Sequence, residues 1–174
     1  MLQDIEMTST TLFIFSGLPA SGKTTLAKLL AAKTGAAYIR VDTVEQGLKD
    51  ICDINVETEG YRLSYRLIRD NLELGNSTIA DSCNTVKITR DAWENVALNS
   101  GASFRNIEIR CSNISEHESR VKSRVCSDEF SRAQTWEQVK NRYYEPWVKE
   151  IFEVDTAGKT HQESFHTLCE ILGL

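Results

Sequence analysis

The stretch GLPASGKTT, from Gly17 to Thr25, follows the apolar run TLFIFS at Thr11–Ser16 and precedes a helical pattern, LAKLLAAKTG. It contains two glycines and a proline among mostly small or polar side chains, so it can add little to a hydrophobic core. Residues 17–24 match the pattern G-x-x-x-x-G-K-[ST] in full, between a predicted strand and a predicted helix. This order predicts a loop whose backbone binds phosphate groups. The alternative is a glycine-rich strand–helix turn with an accidental lysine.

The chemistry of this loop follows from the start of the helix behind it. A helix N-terminus presents unpaired N–H groups and a partial positive charge, which favour an anion. Gly17 and Gly22 allow conformations and close approaches that a Cβ would block. Lys23 is expected to reach the β- and γ-phosphates, and Thr24 to offer its hydroxyl to Mg²⁺. The predicted nucleotide-binding set is Gly17, Pro19, Ala20, Ser21, Gly22, Lys23, Thr24 and Thr25, although Ser21 and Thr25 could instead satisfy helix-start N–H groups.

Short apolar runs alternate with helical patterns along the whole chain. The predicted strands are 11–17, 36–42, 77–82, 102–111 and 150–156. Strands separated by helices pair in parallel through right-handed crossovers, so we expect one three-layer α/β/α domain over residues 1–174. Ligands collect at the carboxyl ends of such strands. Besides the loop, this rule points to Asp42, Asp81, Cys111 and Asp155.

Three segments have the capping-box pattern that opens a helix: SEHE at 115–118, TWEQ at 135–138 and THQE at 160–163. We expect the helix that begins at TWEQ to run through Trp147. The stretch 43–74 is expected to be helical with a break near Asp53–Asn55.

Composition limits the class of protein. Of the 174 residues, 41 % are hydrophobic and 26 % charged, and the formal net charge of −5 argues against a nucleic-acid partner held through its phosphate charge. The five cysteines contain no CxxC pair, which argues against a disulfide scaffold or a cysteine zinc site and favours reduced thiols in the cytoplasm. No run approaches the length of a membrane span, and the N-terminus lacks the apolar core of a signal peptide.

Several segments, taken in order, resemble the small P-loop kinases. They are the loop itself, VD at 41–42, IADS at 79–82, TRDAW at 89–93, RCS leading to SRVKSR at 110–124, and VDT at 154–156. The group includes zeta-toxin-like kinases, chloramphenicol phosphotransferase, gluconate kinase and the kinase domain of polynucleotide kinases. The resemblance covers nearly the whole chain. It implies a five-stranded parallel sheet in the nucleoside-kinase-like order, ATP and Mg²⁺ as cofactors, and a helical lid at about 112–135.

Two carboxylates take roles under this resemblance. Asp42, expected at the end of the second strand, would be the general base that accepts the proton of the attacking hydroxyl. The alternative for Asp42 is an N-cap of the following helix. Asp81, at the end of TIAD, would hold Mg²⁺, usually through water, or else would cap the turn DSCN.

The arginines are the candidates for closing over the phosphates. Arg120 and Arg124, four apart on one helical face, would belong to the lid and act in catalysis with Lys23. The alternative is a solvated basic face paired with Glu116 or Glu118. Arg132 is a weaker lid candidate. Arg90 would contact the acceptor or a phosphate, or else would be an ordinary surface residue.

The predicted function is ATP-dependent transfer of a phosphoryl group to a hydroxyl of a small-molecule acceptor. A regulatory P-loop ATPase is one alternative, and a toxin-like or nucleic-acid 5′-hydroxyl kinase is another. The pattern contains no code that identifies the acceptor. His117 is expected to belong to a helix N-terminus rather than to the chemistry.

Overall fold

The computed structural model describes residues 10–125 and 134–174 of the chain. Five strands form one sheet: β1 (Thr11–Ser16), β2 (Ala37–Arg40), β3 (Thr78–Asp81), β4 (Ser103–Arg110) and β5 (Phe152–Asp155). Their order across the sheet is β2-β3-β1-β4-β5, and every neighbouring pair is parallel. The predicted three-layer architecture and strand order are confirmed.

Seven helices connect or follow the strands in the described part of the chain. They are α1 (Lys23–Thr34), α2 (Val41–Cys52), α3 (Glu59–Glu73), α4 (Lys87–Asn99), α5 (Ile114–Val125), α6 (Trp136–Lys140) and α7 (His161–Leu172). Within these residues, no helix has both the length and the apolar character that crossing a bilayer requires.

The central strand β1 shows why helices cover both faces of the sheet. Phe13 and Phe15 pack into one core with side chains of α1 and α7. Leu12 and Ile14 point to the other face and pack with α3 and α4, around the fully buried Trp93. This alternation is the period of two that an extended backbone imposes. Helices therefore cover both faces of the sheet. The edge formed by the carboxyl ends of the strands remains open to a ligand.

Two helix starts differ from the prediction. Helix α2 begins at Val41, so Asp42 lies in its first turn and not at the end of β2, and Arg40 occupies the N-cap position. Helix α5 begins at Ile114, and the side chain of Asn113 accepts a hydrogen bond from the Glu116 N–H at 3.1 Å. The predicted SEHE capping box is therefore wrong, because Asn113 already caps the helix before Ser115. The boxes at Thr135 and Thr160 are confirmed.

Helix α6 is also shorter than predicted, because it ends at Lys140 rather than at Trp147. The segment after it is irregular and is tied to the rest of the protein by its backbone: the Glu145 N–H donates to the Thr85 carbonyl at 2.8 Å. Pro146 carries no N–H and disfavours helical conformation in the residue before it, which fits the early end.

Candidate functional site

The predicted phosphate loop connects β1 to α1, at the edge of the sheet where the strands end. Gly17 has φ +133°, and a Cβ there would lie 2.1 Å from the carbonyl oxygen of Ile109. Gly22 has φ +101° and is the N-cap residue of α1. The expected need for glycine at these two positions is therefore confirmed by the backbone geometry.

The loop leaves a set of backbone donors available. Among the described residues, none accepts a hydrogen bond from the N–H groups of Ala20, Gly22, Lys23 and Thr24. The Ser21 N–H donates back to the Leu18 carbonyl at 3.3 Å, and the Lys23 Nζ donates to the same carbonyl at 3.0 Å. Lys23 is thus folded over the loop. The free N–H groups and the start of the twelve-residue helix α1 form a suitable site for an anion.

A cleft of about 1240 Å³ opens beside the loop. Pro19, Ala20, Lys23 and Thr24 line it from the predicted nucleotide-binding set. Ser21 and Thr25 are not among its lining residues; Ser21 is 1 % exposed, and its hydroxyl has no hydrogen-bond partner among the described residues.

Both predicted carboxylates line this cleft, Asp42 from the first turn of α2 and Asp81 from the end of β3. Asp81 ends β3 and is 2 % exposed, and its Oδ2 accepts a hydrogen bond of 2.7 Å from the Tyr38 hydroxyl. Asp42 is open to solvent, with 59 % of its side chain exposed, and forms an ion pair of 3.0 Å with Arg40. Burial disfavours the charged Arg40 guanidinium, but Asp42 offsets this effect, so the pKa of Arg40 is raised.

Tyr38 and Arg40 are functional candidates that sequence reasoning missed. They lie two residues apart on β2 and therefore on one side of it. Burial, and after it the Asp81 carboxylate, raise the pKa of Tyr38 well above its ordinary value, so the phenol remains a donor. The sequence offered one signal for these two residues, which is that polar side chains alternate in a short strand. It did not show their partner, because β3 follows β2 only after two helices.

The arginines are placed differently from one another. Arg120 does not line the cleft: it donates to the Thr156 hydroxyl at 2.7 Å and the Thr156 carbonyl at 3.0 Å, and pairs with Glu116. The predicted alternative, a pair with Glu116, is therefore present, but together with a contact to Thr156. Arg124 does line the cleft. Arg132 lies outside the described residues, as do residues 126–133 of the predicted lid.

Arg90 is neither at the cleft nor on the surface. It is 2 % exposed, and it donates to the backbone carbonyls of Asn84, Thr85 and Glu145. Its guanidinium lies 4.0 Å from the centre of the Trp147 ring. Both interpretations offered for Arg90 are wrong, because its donors are engaged in tying the loop after β3 to the segment around Glu145.

The residues after β5 support the loop from outside. Asp155 accepts hydrogen bonds from the N–H groups of Ser112 and Ala157 and so holds the turn that follows β5. The Thr156 hydroxyl donates to the Ser21 carbonyl at 2.9 Å. His117, which sequence reasoning set aside, is 5 % exposed, and its Nε2 lies 2.8 Å from the Pro19 carbonyl oxygen.

Comparison with known proteins agrees with this geometry. The family described as "AAA domain" matches residues 12–146. The chain belongs to this family. Its resemblance to small P-loop kinases is confirmed, and the protein is a P-loop nucleotide-binding domain of the kinase-like kind.

The individual proteins that resemble this chain share low sequence identity with it. A protein named "Putative adenylate kinase" from Thermococcus gammatolerans is 26 % identical over 166 residues, which are 90 % of this chain and 82 % of that protein. A "putative kinase" from Chloroflexus aurantiacus has a TM-score of 0.72 at 21 % identity, covering 95 % of this chain and 97 % of the other.

Two nucleotide-bound structures share the fold. Kti12 from Chaetomium thermophilum, in complex with ADP-AlF3, has a TM-score of 0.68 at 21 % identity, covering 91 % of this chain and 97 % of that one. The APS kinase CysC from Mycobacterium tuberculosis, in complex with AMPPNP and APS, has a TM-score of 0.65 at 16 % identity, covering 95 % and 99 %. At these identities the solved structures show the fold and not the substrate.

Proposed function

We propose that the protein is a kinase that transfers the γ-phosphoryl group of Mg-ATP to a hydroxyl of a small-molecule acceptor. The observation that carries this proposal is one cleft lined by the phosphate loop, by Asp42 and by Asp81 together. A nucleotide-binding switch needs the loop, but it does not need a solvent-facing carboxylate beside it. A transfer enzyme needs such a carboxylate, because the attacking hydroxyl must lose its proton.

The volume of the cleft supports the proposal that two substrates bind in it together. Sites for a single small ligand commonly measure about 300–1,000 Å³. The cleft here measures about 1240 Å³, which leaves room for an acceptor beside a nucleotide. The loop with Lys23 lines one part of the cleft, and residues of α2 together with Tyr61 of α3 line another. We assign the first part to ATP and the second to the acceptor.

In the proposed reaction the acceptor oxygen attacks the γ-phosphorus, and the bond to the bridging β–γ oxygen breaks. Asp42 takes the proton of the acceptor hydroxyl or orients it toward the phosphorus. Arg40, at 3.0 Å from the Asp42 carboxylate, holds that side chain over the cleft. Lys23 and the N–H groups of the loop stabilise the charge that moves onto the β-phosphate.

The residues present fit a magnesium ion. Asp81 and Thr24 supply a carboxylate and a hydroxyl to the same cleft, and oxygen donors of this kind suit Mg²⁺. The Tyr38 hydroxyl occupies one Asp81 oxygen at 2.7 Å and orients the carboxylate. When bound, Mg²⁺ would offset the charge of the β- and γ-phosphates.

The arginines contribute unequally to the proposal. Arg124 lines the cleft and is our candidate for contact with the phosphates. A direct contact from Arg120 would require it to leave Thr156 and Glu116, so we assign Arg120 to the support of the loop.

The test is a transfer assay with labelled ATP and a pooled library of metabolites and antibiotics. We expect at least one acceptor to be labelled, and Asp42→Asn to lower the transfer rate by about 10²–10⁴-fold while the Kd of ATP changes little. Asp70→Asn, an exposed change on α3 away from the cleft, is the matched control. Transfer by Asp42→Asn at the wild-type rate would show that the assigned role is wrong.

The same assay tests the regulatory ATPase alternative. ATP hydrolysis with no acceptor labelled, and with hydrolysis unaffected by Asp42→Asn, would favour a switch over a kinase. A nucleic-acid kinase would instead label an added oligonucleotide. A cytoplasmic location, predicted from the cysteine pattern, is part of the proposal and would be checked by fractionation.

A further inference from the structure

The phosphate loop has an unusual backbone that must be held in place. Ala20 has φ +62°, in the left-handed region that residues with a Cβ rarely adopt. Such a conformation is strained and persists only where neighbouring contacts maintain it. Contacts from outside the loop help to maintain it here.

The direction of each peptide group decides whether the loop can bind an anion. In a planar trans peptide the C=O and the following N–H point in opposite directions. A carbonyl held outward therefore turns the next N–H inward, toward the cleft. The Pro19 carbonyl controls the N–H of Ala20, and the Ser21 carbonyl controls the N–H of Gly22.

Both carbonyls are held by hydrogen bonds from the surrounding structure. The Thr156 hydroxyl donates to the Ser21 carbonyl at 2.9 Å, and Arg120 in turn donates to that hydroxyl. The Pro19 carbonyl lies 2.8 Å from Nε2 of His117. Because a carbonyl can only accept, Nε2 carries the proton in this contact.

His117 is itself fixed by packing. It lies on α5, three residues before Arg120 and so on the same side of that helix. Its ring makes a T-shaped contact with Trp136, the first residue of α6, with the ring centres 5.4 Å apart. The imidazole is 5 % exposed and therefore has little freedom to turn away.

We propose that His117 is a positioning residue of the phosphate site: its hydrogen bond to the Pro19 carbonyl turns the Ala20 N–H toward the bound phosphate chain. It touches no reacting atom and acts through the loop. The inference rests on the proposed nucleotide site.

The test compares three variants by calorimetric titration with ATP and with inorganic tripolyphosphate. His117→Phe keeps a ring against Trp136 but removes the donor, and His117→Leu is a second donor-free change should phenylalanine not fit. His117→Gln restores a donor at a similar reach. We expect His117→Phe to weaken both ligands by about tenfold, the scale of one oriented donor to a charged group, and His117→Gln to recover most of this loss.

The control is His161→Phe, an exposed residue at the start of α7. All proteins are titrated well below their thermal midpoints, so that lower fold stability alone does not change the Kd. Unchanged affinity in both donor-free variants would overturn the inference, and so would an equal loss in His117→Gln. Failure of the wild-type protein to bind ATP would instead overturn the proposed function on which the inference rests.

Discussion

Tyr38 illustrates how one hydroxyl can define a site at the scale of a residue. It donates at 2.7 Å to Asp81, which is nearly fully buried at the end of β3. A buried carboxylate is stable in its charged form only with partners that offset the loss of water. The Tyr38 phenol is one such partner. Its hydrogen bond to Oδ2 fixes the orientation of the carboxylate, and so also the position of the other oxygen. The predicted metal role of Asp81 therefore depends on a residue that the sequence did not single out.

Replacing this hydroxyl tests the arrangement. We expect Tyr38→Phe to raise the Mg²⁺ concentration for half-maximal transfer by roughly tenfold, the range found when an outer partner of a metal ligand is removed. Titration of Mg²⁺ against transfer rate measures this, and calorimetry with and without Mg²⁺ shows whether the loss needs the metal. Tyr143→Phe, an exposed change, is the control. An unchanged Mg²⁺ requirement would contradict the role of Tyr38.

At the scale of elements, the start of α5 determines which side chains reach the loop. Asn113 caps the helix, so the helix begins at Ile114 and carries His117 and Arg120 on one side. A pattern of four residues, S-x-x-E, predicted the N-cap at Ser115, two positions later. Two neighbouring residues can each serve as the N-cap of one helix, and a sequence pattern does not show which of them will. Here the side chain of Asn113 accepts the hydrogen bond from the helix start.

The two candidate caps can be separated by measurement. We expect Asn113→Ala to lower the free energy of unfolding by about 0.5–2 kcal/mol, because the Glu116 N–H loses its acceptor. Ser115→Ala, within the helix, is expected to change stability by less than about 0.5 kcal/mol. Chemical denaturation of both variants decides the matter. A larger loss for Ser115→Ala would restore the original capping prediction.

Arg90 joins two elements that are far apart along the chain. It contacts the carbonyls of Asn84 and Thr85 after β3 and the carbonyl of Glu145 beyond α6. The neighbouring residue Cys83 accepts from the Gly17 N–H at 3.1 Å. The segment around Glu145 is therefore linked to the start of the phosphate loop through one buried cation and one short turn.

At the scale of the whole molecule, several tyrosines are held neutral by the fold. Burial is the main cause that raises the pKa of Tyr61 to about 12 and that of Tyr144 to about 12. The unfolded chain releases these protons near pH 10. Between the two values the unfolded state binds fewer protons than the folded state, so stability falls as the pH rises.

We therefore expect the free energy of unfolding to decrease steadily from pH 10 toward pH 12. Tyr61→Phe removes one of these titrating groups. The slope of its free energy of unfolding against pH should therefore be smaller than that of the wild type by at most about 1.4 kcal/mol per pH unit. Denaturant titrations at a series of pH values measure the slope. Tyr143→Phe is the exposed control. A profile of Tyr61→Phe parallel to that of the wild type would contradict this account.

Much of the fold was predictable because its signals are local. Gly17 and Gly22 belong to a sequence pattern that is typical of phosphate-binding loops. The alternation of apolar runs with helical patterns predicted the parallel sheet. The site was predictable in part: Asp42 and Asp81 do reach one cleft. Arg90 was misread, because its function depends on Glu145, which lies 55 positions later in sequence.

Local sequence patterns were enough to predict the phosphate loop, the layered α/β fold and the edge of the sheet where a ligand would bind. Each rests on residues adjacent in the chain or on the rule that parallel strands end at one edge. The side chains that hold that site in shape become visible once the chain is folded. Tyr38 meets Asp81 across 43 positions, and His117 meets Pro19 across 98. A hydrogen bond between distant residues leaves no periodic or spaced pattern in either segment, because its geometry exists only when the sheet and its helices are assembled.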